Sequence, residues 1–262
     1  MKVRISPRLE FQADAIGVIN LKDFEDIDYV VREILLDHPY LIFRGQRNSE
    51  WPLRASLDRL FLSSKDRLPK IKDATNLLKK FKYSTRGRLS SEWTPKNDNS
   101  WWALGQHFGL ATPLLDWTES PFVAAYFAFL KHAEKLNDNY PNRVIWALDP
   151  NEVQKRSKLL NAKDKVEIIN PLSDQNPRLV NQRGLFTKLP IGTDMESWVK
   201  INFKGVDSHV VLIKIEIPEE TGHRNKFLQF LNRANINSLT LFPDLTGASI
   251  HCNNSVLIDN YE

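Results

Sequence analysis

The chain has 262 residues but a single cysteine, Cys252, which excludes an intrachain disulfide and a multi-cysteine metal site. It has no run approaching the roughly 18–20 apolar residues that cross a bilayer. Its first twenty residues, MKVRISPRLEFQADAIGVIN, hold no apolar signal region. There is no Walker A loop, no GxGxxG after a strand, no HExxH and no GxSxG. The six histidines, His38, His107, His132, His209, His223 and His251, show no metal-ligand spacing, so no metal is expected. A strong charge of one sign is also lacking. The net charge of +4 suits an anionic partner but is too small to imply nucleic-acid binding alone. What these absences leave is a soluble, cytoplasmic protein with no membrane partner.

Hydrophobic residues make up 42% of the chain and charged residues 26%, enough to bury a sizeable core. No repeat, low-complexity segment or composition break marks a linker. One α+β domain over residues 1–262 is therefore expected, a mixed central sheet with packed helices. Residues 1–20 read as a short strand plus connector. LKDFEDIDYVVREILLDHP (21–39) has helical spacing and stops at Pro39. YLIFRG reads as a strand ending at Gly45, and residues 52–90 as helices with basic outer faces. Segment 70–92 holds seven Lys or Arg before residue 89, a pattern that usually marks a solvated helix face. Ser100 is expected to cap a helix WWALGQHF. Ser120 and Pro121 open a second helix that is apolar nearly all round and so should be central. RVIWALDP and SHVVLIKIEIP read as strands, with a helical piece and polar loop over 151–177 between them. PRLVNQRGLFTKLP reads as strand around a Gln-Arg-Gly turn, EETGHRNKFLQFLNRANI as an amphipathic helix, and SLTLFPDL as a strand ending in a turn. Of seven tryptophans, Trp93, Trp101, Trp102 and Trp117 fall within 25 positions.

Two places carry chemistry. In YLIFRGQRNSEWPLRASLDR an apolar strand runs into Arg44, and a guanidinium at the end of a buried strand needs either an internal carboxylate or an anionic ligand. In GQHFGLATPLLDWTESPFVAAYFAF, residues 105–129, the polar groups Gln106, His107, Thr112, Asp116, Thr118 and Ser120 lie between a helix end and a buried helix start. Asp116, flanked by Leu114, Leu115 and Trp117, should be paired or capping. Its candidate partners are the N–H groups opening the helix at 120, or Arg44. His107 reads first as a half-buried structural histidine and second as a catalyst.

These segments resemble the FRG domain family of bacteria and phages. Phe43, Arg44 and Gly45 match the motif that names it. Gln106, His107, Gly109, Thr112, Leu114, Leu115, Asp116, Trp117, Thr118, Ser120 and Pro121 match the second motif, with Ala111 in place of its proline and Pro113 in place of its arginine. Gln182, Gly184 and Phe186 match the third motif, and Phe242, Pro243, Asp244 and Leu245 the fourth. The motif core then spans about 40–250, with a basic helical insert at about 52–100. The family carries little assigned activity.

A strand ending in aromatic-Arg-Gly also resembles the first core strand of many ADP-ribosyltransferases, whose arginine holds the phosphates or ribose of NAD. That resemblance implies an ADP-ribosyltransferase-like sheet and NAD as substrate. Arg44, Gly45 and Gln46 would hold the dinucleotide, with Gln106, Thr112 and Thr118 close by, and Trp117, Tyr126 or Phe127 would stack on a ring. The carboxylate that stabilises an oxocarbenium-like ribose would be Asp116, with Gln182 a neutral stand-in and Glu216 a third candidate. His107 would assist.

Three functions remain open at this point. The first is an NAD-dependent ADP-ribosyltransferase or NAD-cleaving effector of toxin or anti-phage type. Its acceptor would be nucleic acid or protein, and an antitoxin or regulatory protein would restrain it. The second is a non-catalytic nucleotide or nucleic-acid module, binding backbone through segment 64–88 and stacking bases on exposed tryptophans of 93–102. In the third, Arg44 and Asp116 form a buried pair that only fixes the core. The first requires a cleft joining Arg44, His107 or Asp116, and Gln182.

Overall fold

The computed structural model describes residues 9–89, 94–132, 141–170, 177–206, 209–220 and 222–261. In chain order, strands Leu9–Ala13 (β1) and Ile16–Asn20 (β2) form a hairpin. Asp14 and Ala15 turn it at φ of 51° and 62°, the left-handed geometry that matches strand twist. Helix Asp26–Val30 (α1) continues as a π-helical turn through Leu35 and leads to strand Ile42–Gln46 (β3). Helices Ser56–Lys65 (α2), Ile71–Ser84 (α3) and Asp98–His107 (α4) follow, then strand Leu114–Thr118 (β4) and helix Pro121–Phe129 (α5). Strand Arg143–Leu148 (β5), helix Pro150–Ser157 (α6), strand Glu167–Ile169 (β6), helix Pro177–Asn181 (α7) and strand Gly184–Lys188 (β7) come next. Helix Met195–Asn202 (α8), strand Leu212–Ile217 (β8) and helices His223–Arg233 (α9), Ser238–Leu241 (α10) and Leu245–Leu257 (α11) complete the described chain.

Among the described residues the strands form one mixed sheet in the order β1-β2-β8-β5-β3-β4-β7-β6. β2 and β8 run parallel, and the other neighbours are antiparallel. The α+β expectation with a mixed sheet and packed helices is met. The burial of β5 is complete on both faces, as expected of a central strand, and its Val144–Leu148 stretch divides by alternation. Ile145 and Ala147 join Phe43, α1, α5 and α9 in one apolar cluster. Val144, Trp146 and Leu148 join Ile42, Leu115, Trp117 and α8 in another. A third packs Leu57, Leu78 and Trp102 against Leu114 and Phe186, holding α2, α3 and α4 on β4 and β7.

One seam in the sheet matters for the site. β3 pairs with β5 along its whole length, from Ile42–Leu148 to Gln46–Val144. It meets β4 only at Phe43–Thr118. Beyond that pair the two strands separate, and β4 instead pairs fully with β7. The next residue after the last bridge on β3 is Arg44.

Helix α5 is as central as its sequence implies. Ser120 caps it by accepting from the Val123 amide at 3.3 Å, and Pro121 opens its first turn. It lies directly on β3 because Gly45 has no side chain. A Cβ built there would stand 1.8 Å from the Ala124 carbonyl oxygen and 2.8 Å from the Ala128 nitrogen.

Several sequence expectations are corrected. The helix before residue 39 covers only α1 and its π-helical extension, and β3 runs one residue past Gly45. The cap of α4 is Asn97, which accepts from the Ser100 amide at 2.9 Å, so Ser100 lies inside the first turn. Leu114–Thr118 is a full strand, and a short strand interrupts the loop before residue 177. Residues 177–181 are helical rather than extended. SLTLFPDL is no strand: Asn237 caps α10, and Asp244 caps α11 by accepting from Thr246 and Gly247. Trp102 is buried, not exposed, and Trp93 lies outside the described residues.

Candidate functional site

A cavity of about 740 Å³ opens at the seam between β3 and β4. That is within the range of ordinary small-molecule sites. One wall is the end of β3, the connector into α2 and the first turn of α2, giving Arg44, Arg47, Trp51, Arg54 and Arg59. The last turn of α4 supplies Gln106 and His107, β4 supplies Asp116 and Thr118, and α5 supplies Phe127. Arg178 and Gln182 border it from α7 and the turn after it, and Phe242 from the end of α10.

Among the described residues Asp116 is the single carboxylate in the lining, against six basic side chains, Arg44, Arg47, Arg54, Arg59, Lys131 and Arg178. Strand alternation explains its position. Leu115 and Trp117 turn into the core, so Asp116 between them turns to the open side. Its side chain is 61% exposed, while that of Arg44 is 17% exposed. Arg44 Nη1 donates to the Asp116 carbonyl at 2.9 Å and approaches the carboxylate Oδ2 at 3.4 Å. The guanidinium thus bridges the seam where strand pairing stops. The pair is not a buried strut, because one partner faces the cleft.

The other carboxylate oxygen is held by a chain of hydrogen bonds. The Leu114 amide donates to Thr112 Oγ1 at 3.2 Å, and the Thr112 hydroxyl donates to Gln106 Oε1. Gln106 Nε2 then donates to Asp116 Oδ1 at 2.8 Å. With its amide oxygen occupied, Gln106 presents only its nitrogen to Asp116, which must accept. Thr112 is fully buried. It therefore serves the site through Gln106 and is not placed to touch a ligand.

The remaining expected residues sort by burial. Gln182 joins the cleft to the C-terminal segment: its carbonyl accepts from Thr118 Oγ1 at 2.6 Å, and its Nε2 donates to the Leu241 carbonyl at 2.9 Å. Gln46 borders the cavity but is buried, accepting from Trp146 Nε1 at 2.8 Å and donating to the Pro52 carbonyl at 3.5 Å. Gly45 gives room to α5 rather than to a ligand. Tyr126 was expected to stack on a ring, but it is fully buried in the core and does not line the cleft. Trp117 is buried with its indole donating to Thr187 Oγ1 at 2.9 Å, so its ring offers no free face. Glu216 lies away from the cavity, between Lys214 at 2.6 Å and Asn142 at 3.0 Å. Phe127 and Phe242, edge to face at 5.9 Å, are the aromatic pair that borders the cavity.

Arginines supply most of what the sequence reading missed. Arg54 Nη2 reaches Asp194 at 3.2 Å, and Arg178 holds Asp244 through Nε at 2.7 Å while lying 5.3 Å over the Phe242 ring. Both carboxylates stand outside the lining, so the cleft surface itself remains cationic. Arg47 covers Trp51 at 4.9 Å. Burial, and then the neighbouring Arg44, lower the Arg59 pKa, with Asp116 opposing. Burial followed by the Arg178 charge lowers that of His107, with Asp244 opposing, so its imidazole is neutral at neutral pH. A signal was available: the twenty residues 40–59 hold four arginines. Their convergence depends on the turn between β3 and α2, which no periodicity reveals.

Among the described residues no helix is long and apolar enough to cross a membrane, and no group of three or more His, Cys, Asp or Glu is placed to hold a metal ion. Residues 39–137 match the family model of the FRG domain. This interval holds Arg44, Gln106, His107, Thr112 and Asp116, while Gln182 and Phe242 lie beyond it. No curated protein and no solved structure matches the chain.

Proposed function

We propose that this chain, which carries an FRG domain, consumes NAD as substrate and transfers or releases ADP-ribose. What supports the reading is one observation: Arg44, Asp116, His107 and Gln182 border a single cavity of dinucleotide size. The cationic wall suits the pyrophosphate, since guanidinium and phosphate oxygens form short charge-assisted hydrogen bonds. Phe127 and Phe242 suit a flat heterocycle. Asp116, fixed by Gln106 and Arg44, faces the open side with its charge where an electron-poor ribose would need it.

In the reaction, the bond between ribose C1′ and the nicotinamide nitrogen breaks. Its electron pair stays on that nitrogen, so nicotinamide leaves neutral. Positive charge develops on the ribose, and the Asp116 carboxylate stabilises it, the electrostatic task that often supplies the largest share of catalysis. An acceptor oxygen then bonds to C1′ and gives up its proton, for which the neutral His107 is a suitable base. Water as acceptor yields free ADP-ribose. A nucleic acid or protein acceptor yields the modified macromolecule, as a toxin or anti-phage effector restrained by a regulatory partner would produce.

The test is nicotinamide release by purified protein, wild type beside Arg44→Ala, with and without lysate and nucleic acid. Release by the wild type and its loss in a folded Arg44→Ala variant are expected. Binding of nucleotide or single-stranded nucleic acid without release would instead favour a non-catalytic module, the reading for which the six-to-one charge of the lining also speaks.

A further inference from the structure

Arg44 was expected to share the ligand's phosphates with Gln46. Gln46 is occupied by Trp146 and Pro52, so a second group must complete the grip. Arg59, on the first turn of α2, lies across the cavity's cationic wall. Its Nη1 donates to the Arg54 carbonyl, which orients the guanidinium but uses one of its five N–H donors. Arg44 donates to Asp116 through Nη1, while its Nε is buried with no hydrogen-bond partner.

The two guanidiniums border the same cavity, that of Arg44 largely buried and Arg59 exposed, and Asp116 is the carboxylate beside them in the described lining. Arg54 has its own carboxylate, Asp194, and Asp58 behind Arg59 is buried outside the lining. Like charges held together beside a solvent-filled cavity are unfavourable without an anion. A diphosphate bound in the cavity would offset that positive charge.

We propose that Arg44 and Arg59 form a pyrophosphate subsite, with Arg59 as the second clamp on the phosphates of a nucleotide ligand. This deepens the NAD reading and rests on it for the identity of the ligand, though the subsite stands on its own geometry. The shared chemistry is phosphate, which a free nucleotide and a nucleic-acid backbone both carry. The cavity's volume of about 740 Å³, within the range of small-molecule sites, favours the former.

The probes are inorganic pyrophosphate, ADP, and a single-stranded oligonucleotide without terminal phosphates, titrated calorimetrically into the full chain at fixed salt. Wild type, Arg59→Ala, Arg59→Lys and Lys155→Ala are compared, the last removing a cation outside the cleft. We expect ADP and pyrophosphate to bind, Arg59→Ala to weaken both about tenfold or more, Arg59→Lys to restore part of the loss, and Lys155→Ala to change nothing. Equal affinity in a folded Arg59→Ala variant overturns the subsite, as does failure of ADP and pyrophosphate to bind the wild type. Tighter binding of the oligonucleotide than of ADP overturns the nucleotide as its ligand. Nicotinamide release separates the two claims. Release with an unaffected Arg59→Ala sinks the subsite and leaves the enzyme. Arg59-dependent binding without release does the reverse.

Discussion

Replacing Gly45 by alanine should damage fold and site together. The added methyl would sit 1.8 Å from the Ala124 carbonyl oxygen, a backbone atom that no rotamer change can move. To recover an ordinary contact near 3.5 Å, α5 must retreat from β3 by roughly 1.7 Å. Buried overpacking typically costs about 1–3 kcal/mol, and a backbone obstruction belongs at or above the upper end. For a domain of this size, about 3 kcal/mol corresponds to a fall in Tm of roughly 6–12 °C. The retreat would also carry Phe127 away from the cavity and loosen the seam that Arg44 bridges. Thermal unfolding of the variant, read beside ADP binding, should show both losses. A Gly45→Ala protein with unchanged Tm would refute the claim that direct helix-on-strand contact requires this glycine. If the glycine served ligand approach alone, binding would fall while Tm held.

Other outcomes follow from the same geometry. Thr112→Val should free the Gln106 amide to turn away from Asp116 and slow nicotinamide release, while Thr112→Ser, which keeps the hydroxyl, should retain the wild-type rate. Arg143→Ala should destabilise by about 3–5 kcal/mol, measured by urea unfolding, because the fully buried guanidinium joins Glu219 to the Ala128 and Lys131 carbonyls at the end of α5. Burial raises the Asp58 carboxyl to about 6 from 3.8. The folded state then binds more protons than the unfolded state between these values, so Asp58 makes stability decline as pH rises through that window. Asp58→Asn should flatten this part of the unfolding curve, and an unchanged slope would place the titration elsewhere.

The general architecture was legible because burial writes itself as period. Helix α5 announced itself through Ser120, Pro121 and an all-round apolar sequence, and β8 through LIKIEI. The errors have local causes. Leu114–Thr118 looks like a connector because Asp116 interrupts its apolar run, yet in the strand Asp116 is the one exposed residue, set at the seam between buried Leu114 and Thr118 on its own face. SLTLFPDL alternates like a strand, but Asn237 and Asp244 cap successive helices, and capping outweighed the pattern. The Arg44–Asp116 partnership was anticipated as an alternative. The hydrogen-bond chain from Thr112 was not, since it requires the end of α4 to fold back beside β4. Stacking on Tyr126 failed for a related reason: on a helix buried all round, most aromatic faces belong to the core, and only Phe127 reaches the cavity. The sequence places Arg54 and Arg59 in a segment, 52–90, whose basic residues read as an outer helix face, as those of a basic helix usually are. Here the turn from β3 brings Arg54 and Arg59 back over the seam.

The most direct test of the account is the rate of nicotinamide release from NAD by wild type and Asp116→Asn at equal, verified folding. Asparagine keeps the size and the Gln106 contact but removes the charge placed for the ribose. The account predicts release by the wild type and a fall of about 100-fold or more in the variant. Equal rates in the two proteins would contradict it, because the carboxylate that faces the cleft would then have no part in the chemistry.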